Sequence, residues 1–118
     1  MGPYGYFKAG FLENRSTTMK FEIKFTPTAA SHVRSYRKFE QQIILDGIEE
    51  QLSSEPTTQT RNRKQLGDNQ LSNWELRVKK YRVFYDVVIE GDRRSVQIKA
   101  VGHKEHNTLY IGSKEVQL

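Results

Sequence analysis

The nine residues Gly102-His103-Lys104-Glu105-His106-Asn107-Thr108-Leu109-Tyr110 bring two imidazoles, an ammonium and a phenol into one short run. Imidazole titrates near neutral pH, so His103 and His106 are candidates for taking or giving a proton. Cleaving RNA without a metal needs a base for the 2′-hydroxyl, cations for the charge that develops on the phosphorane, and an acid for the departing 5′-oxygen. Lys104, His106 and Tyr110 could supply charge and proton transfer, while Arg77 and Arg82 could hold phosphate oxygens. Each residue also has a plainer role open to it. Tyr110 could close the edge of the core, His103 could bond a backbone carbonyl, Lys104 could be solvated, and Arg82 could pair with Asp86. The two histidines have the HxxH spacing of a metal pair, but no carboxylate cluster or third histidine completes a site in the sequence, so neither a metal nor another cofactor is expected.

These residues are carried by strands. Trp74, Leu76 and Val78 alternate with Glu75, Arg77 and Lys79, the period of a strand with one buried face. Tyr81, Val83, Tyr85, Val87 and Ile89 then share one face of a second strand, with Arg82, Phe84, Asp86 and Val88 on the other. After a turn at Gly91-Asp92, a third strand points Val96, Ile98 and Ala100 inward and Gln97 and Lys99 outward. The alternation places Arg77, Arg82 and Lys99 together on a basic, partly apolar face. Trp74 reads as core, because Leu76 and Val78 share its face.

Upstream, Phe21, Ile23 and Phe25 mark one face of a strand that begins at Met19. Thr26 and Pro27 are the N-cap and first residue of a short basic helix with Ala29, Ala30, Val33 and Tyr36 as its apolar positions. A second helix from about Phe39 to Leu52 has Phe39, Ile43, Ile44, Leu45, Ile48 and Leu52 spaced to cover the strands. Ser53 to Thr60 is a polar loop, and the following run to Asn73 reads as a second loop. The order strand-helix-helix-strand-strand-strand predicts an α+β fold with two N-terminal helices on a largely antiparallel four-stranded sheet.

At 118 residues the chain makes one domain. Residues 1–18 have no strand or helix period and read as an extension outside it, leaving a single domain over 19–118. The net charge is +5, which favours a polyanion or an acidic protein as partner. Between Arg61 and Arg82 there are seven basic residues against two acidic ones, so the excess charge is concentrated there. Arg61, Arg63, Lys64, Arg77, Lys79, Lys80, Lys99 and His103 are the candidate RNA contacts. The absence of cysteine excludes disulfides and thiolate chemistry. With no apolar run of membrane-spanning length and no signal-peptide core at the N-terminus, a cytoplasmic location is expected and no membrane partner.

The segments WELRV, YRVFYDV and AVGHKEHNTLY together resemble the RelE/ParE superfamily of type II toxins, in an element order that extends over residues 19–112. The resemblance implies a curved sheet and a cognate antitoxin whose acidic or amphipathic C-terminal segment wraps the toxin. RelE-like members cut mRNA in the ribosomal A site without metal, so it further implies a ribosome-dependent endoribonuclease with ribosome and mRNA as partners. By position, the arginine of the YR motif is Arg82, the basic residue after Gly-His is Lys104, the position two further on is His106, and the terminal tyrosine is Tyr110. These four are the candidate catalytic residues. The sequence departs from RelE where two lysines precede the YR strand, having Glu75 and Arg77, and in the tail, having Lys104 and His106 in place of arginines. ParE-like members instead inhibit DNA gyrase without chemistry, which is the alternative, along with an inactive antitoxin-binding homologue.

Overall fold

The computed structural model describes residues 20–118, so the expected N-terminal extension over 1–18 and the expected strand start at Met19 lie outside the described residues. Strand β1 (Glu22–Phe25) is followed by helices α1 (Pro27–Arg34) and α2 (Lys38–Leu52). Six strands then follow: β2 (Arg63–Gln65), β3 (Trp74–Val78), β4 (Tyr81–Glu90), β5 (Arg93–Glu105), β6 (Thr108–Ile111) and β7 (Lys114–Val116). They form one sheet in the order β2-β3-β4-β5-β6-β7, with β1 added in parallel to β5 and every other pair antiparallel. The α+β class and two-helix layer agree with the sequence reading, but the sheet has seven strands where four were expected. The short β2 lies in a stretch read as loop, and the tail folds into the β6–β7 hairpin.

The helices are built as their sequences dictate. The Thr26 side chain accepts a hydrogen bond from the Ala29 amide at 3.0 Å, with Pro27 opening α1. In α2 the carboxylate of Glu40 accepts from the Arg37 amide at 3.2 Å. Ile44, Ile48 and Leu52, four residues apart, are buried against the sheet. Phe39 and Leu45, expected to cover the strands, are exposed instead, because the other apolar positions already fill the face that meets the sheet. Gly47 allows α2 to lie directly on β3, since a Cβ there would stand 2.7 Å from both methyls of Val78.

Beneath the helices the core joins Trp74, Leu76, Tyr81, Val83, Tyr85, Val96, Ile98 and Val101 to α1 and α2. Trp74 stacks on Tyr85 with centroids 6.2 Å apart, and the Tyr85 hydroxyl donates to the Pro56 carbonyl at 2.6 Å. Ala100 is absent from this core, a correction to strict alternation along β5. Phe84 faces Ala100 while Tyr85 faces Ile98, so Lys99 is the extra residue of a β-bulge that reverses which residues point inward. Val101 takes the inward place. Ala100, Phe84, Leu109 and Ile111 form a second small cluster on the opposite face, covered by Leu66, Leu71 and Val116. The face expected to be open, basic and partly apolar is therefore partly a core of its own.

The bulge leaves a gap on the outer edge of β5, between the β1 pairing at Ser95–Ile98 and the β6 pairing at Gly102–Glu105. Helix α1 fills it. The Thr26 amide donates to the Ile98 carbonyl at 3.0 Å, and the His32 Nδ1 accepts from the Val101 amide at 3.2 Å. No described helix is long and apolar enough to cross a membrane.

Candidate functional site

Arg77 and Arg82 are direct cross-strand partners in the β3–β4 pair, so they share the face opposite the helices. Like charges directly opposite each other are unfavourable unless something anionic or polar compensates. Arg82 is nearly buried, and its Nη1 donates to the carbonyls of Lys79 at 2.8 Å and Tyr81 at 2.9 Å. Among the described residues no carboxylate forms an ion pair with either arginine. Burial lowers the Arg82 pKa from its ordinary value, the Arg77 charge lowers it further, and Glu75 opposes both. The Arg82–Asp86 pair, the plainer role open to Arg82, does not form. Asp86 instead faces Lys99 across 3.7 Å and accepts a hydrogen bond from the Asn73 amide at 2.7 Å.

On the same face, Lys104 and Lys64 line an open groove of about 580 Å³ with Glu75, Asp68, Leu109 and Val116. A second cleft, of about 410 Å³, lies at the sheet edge beside α2, where Arg61, Arg77 and Lys79 meet Gln51 and Asn62. Lys79 has φ 54° in the two-residue β3–β4 turn. Its neighbour Lys80 lies 3.9 Å from Glu40 and 5.5 Å from the Tyr81 ring centre, so it belongs to the helix side.

Strand parity separates the remaining candidates. His103 pairs in register with Tyr81 and Tyr110, and these point to the helix side. The His103 and Tyr110 rings stack with centroids 5.6 Å apart and an interplanar angle of 22°. The His103 Nδ1 is bonded to the Tyr36 hydroxyl at 2.7 Å, not to the backbone carbonyl considered for it. Gly102 opposes both Arg82 and Ile111, and a Cβ there would collide with the Tyr110 carbonyl and stand 2.7 Å from Ile111 Cγ1. His106 and Asn107, at φ 51° and 68°, are the two central residues of the β5–β6 hairpin, the signature of a type I′ turn. His106 is exposed at that tip. The structure thus joins Arg77 with Arg82, Lys64 with Lys104, and His103 with Tyr110. It does not bring Arg82 and Tyr110 onto one face.

Arg63 corrects the list of surface cations. It is buried at 8% exposure, with Nε donating to Thr58 O at 2.8 Å, Nη1 to Gln51 O at 2.7 Å and Nη2 lying 3.8 Å from Glu55. It fastens the C-terminus of α2 to the following loop, where a cation also suits the helix dipole. Its isolation from Arg61 and Lys64, which are exposed, follows from β-strand alternation in a stretch too polar to be read as a strand. Tyr36 and Glu40 were not singled out by the sequence. Tyr36 read there only as an apolar position of the first helix, which ends two residues before it, and Glu40 carried no functional signal. No group of metal-ligating side chains occurs among the described residues.

Two helices packed on a curved, largely antiparallel half-barrel are the architecture of the RelE/ParE class of toxin domains. A family model described as the ParE toxin of the type II toxin-antitoxin system, parDE, matches residues 23–108, and the chain belongs to that family. Among solved structures, the toxin-antitoxin complex RelBE2 from Mycobacterium tuberculosis is similar in fold. The match has a TM-score of 0.59 and 24% identity, covering 72% of this chain and 99% of that one. No curated protein matches the sequence.

Proposed function

We propose that this toxin cleaves mRNA on the ribosome by metal-independent attack of a 2′-hydroxyl on the adjacent phosphate. The observation that carries the reading is the Arg77–Arg82 pair, two arginines directly opposite each other on β3 and β4, with no carboxylate ion pair to either among the described residues. Such a pair is suited to a phosphate whose negative charge grows in the transition state. Arg82 is fixed by two carbonyls, which places its charge without reorganisation at the moment of reaction. Lys104 adds a cation in the adjoining groove. The imidazole of His106, exposed at the turn beside Asn107, takes the 2′-hydroxyl proton. The 2′-oxygen bonds to phosphorus, the bond to the 5′-oxygen breaks, and that oxygen takes a proton from solvent water, leaving a 2′,3′-cyclic phosphate and a 5′-hydroxyl. Tyr110 stands on the helix-side face of the same β5–β6 hairpin, so its part in the reaction requires the RNA to cross that edge of the sheet.

Membership of a type II toxin family supports a cognate antitoxin as the second partner, with acidic groups laid against Arg77, Arg82 or Lys104. Co-purification from the native operon tests this. Recovery of the toxin alone, at full yield and without growth arrest, would remove the idea.

The family model favours a second reading, inhibition of DNA gyrase without chemistry, and so does the placement of Arg82 and Tyr110 on different faces. Primer extension on mRNA from translation extracts with and without 70S ribosomes separates the two. Ribosome-dependent cuts are expected. Their absence, together with relaxed DNA accumulating in a gyrase supercoiling assay, would establish the second reading instead.

A further inference from the structure

The α1–α2 junction carries a side-chain chain that the proposed chemistry does not use. Tyr36, just after α1, is held by its amide donating to Val33 O at 3.1 Å and by Gln41 Nε2 donating to its carbonyl at 2.8 Å. Its ring stands edge-on to Tyr81 (5.5 Å, 84°) and to His103 (5.7 Å, 83°). Tyr81 is tied to the start of α2 by a 2.6 Å bond from its hydroxyl to Glu40. From the helix side, then, a continuous path runs through Tyr36 to His103 and on to the stacked Tyr110 ring.

We propose that Tyr36 is a positioning residue. Its hydroxyl donates to the His103 Nδ1, selects the Nε2–H tautomer of that imidazole, and through the imidazole plane sets the orientation of the Tyr110 ring. A histidine ring can turn about its own bond unless one nitrogen is held, and the bond made by one nitrogen decides which carries the proton. The Tyr36 phenol is pushed up to about 12, first by burial and then by Glu40, so it keeps its proton at neutral pH and has it to donate. On the other side, His103 Nε2 faces a Glu105 carboxylate oxygen at 3.8 Å, the polarity that suits an Nε2–H. With one nitrogen bonded and the other turned to a carboxylate, His103 is occupied, which leaves proton transfer to His106. The flat Tyr110 ring, offset-stacked on the imidazole, inherits its orientation from that plane.

The consequence for turnover rests on the nuclease reading, whereas the claim about tautomer and ring plane does not. Tyr36→Phe removes one hydroxyl and keeps the ring. Long-range ¹⁵N–¹H correlation spectra of the imidazoles should show His103 of the unmodified protein with Nδ1 unprotonated. In Tyr36→Phe the Nδ1 resonance should shift, and nuclear Overhauser contacts between the His103 and Tyr110 rings should weaken. An Nδ1–H tautomer in the parent, or unchanged nitrogens and ring contacts in the variant, would overturn the proposal. In ribosome-dependent cleavage, the same variant should lose about 10-fold in single-turnover rate with KM unchanged, the pattern of a group that aligns and does not bind. An unaltered rate alongside altered nitrogens would remove the catalytic consequence. Failure of the parent to cleave at all would remove the nuclease reading while leaving the spectra to decide on Tyr36.

Discussion

Single side chains carry opposite kinds of weight in this molecule, and burial tells them apart. Arg63 reads in the sequence as one more surface cation, yet it supplies donors to two carbonyls around the end of α2. Replacing it with methionine keeps the stem and strands those carbonyls, so we expect a loss of about 2–3 kcal/mol. Urea denaturation measures it, and a change within a few tenths would place Arg63 at the surface after all. His32 gives a pH signature. Burial lowers its pKa below the ordinary 6.5, and the neutral Nδ1 accepts from Val101. The unfolded chain therefore binds this proton first as pH falls. Stability should decline from about pH 6.5 downward until the folded-state pKa is passed. In His32→Gln, which retains an acceptor, the decline between pH 7 and 5.5 should be shallower than in the parent. Parallel curves would mean that the imidazole does not titrate differently on folding. His106 is constrained by its positive φ, so His106→Gly is the better test of its chemistry: the turn is kept, the imidazole is lost, and cleavage should fall by about 10²-fold, within the range of general base catalysis.

The long elements were readable because their patterns are dense. Trp74 to Val78 alternates without interruption, Tyr81, Val83 and Tyr85 continue that face, and Thr26-Pro27 announces a helix by cap and ring. What alternation could not show was the bulge. One extra residue at Lys99 reverses the side of every position after it, so Val101 enters the helix-side core and Ala100 leaves it. Nothing in the residue types around Ala100 marks that reversal. The short β2, β6 and β7 were missed because three or four residues carry too little period to distinguish from loop, and β2 has no apolar residue at all. The candidate site divides likewise. The arginine pair followed from strand parity, but the separation of Tyr110 from Arg82 depends on the bulge and could not. Gly102 is where the elements meet most closely. Gly102→Ala would press a methyl into the β6 backbone and should cost about 1–3 kcal/mol while unpairing β5 from β6. Amide exchange at Thr108–Ile111 should accelerate, and unchanged protection there would mean the strands can part without cost.

The distribution of charge over the whole molecule separates the two candidate targets. The net charge is +5, and the exposed cations cluster at one end: Arg61, Arg77 and Lys79 in the cleft beside α2, with Lys64 and Lys104 along the neighbouring face where Arg82 is nearly buried. A nucleic-acid target loses condensed counterions as each phosphate is neutralised, so affinity should fall steeply with salt. If about four of these cations each meet one phosphate, raising salt from 50 to 200 mM should weaken ribosome binding by on the order of 10²-fold. Exchanging Arg61 and Lys79 together for alanine should reduce the slope of log affinity against log salt by nearly two, at little cost to stability, since both are exposed. Arg63→Met, buried on the other side, should leave the slope unaltered in the folded fraction. A slope near zero in the parent, or one that the double substitution does not change, would show that this basic end does not track a phosphate backbone. The Arg77–Arg82 pair would then have to be read as a docking surface for acidic protein groups.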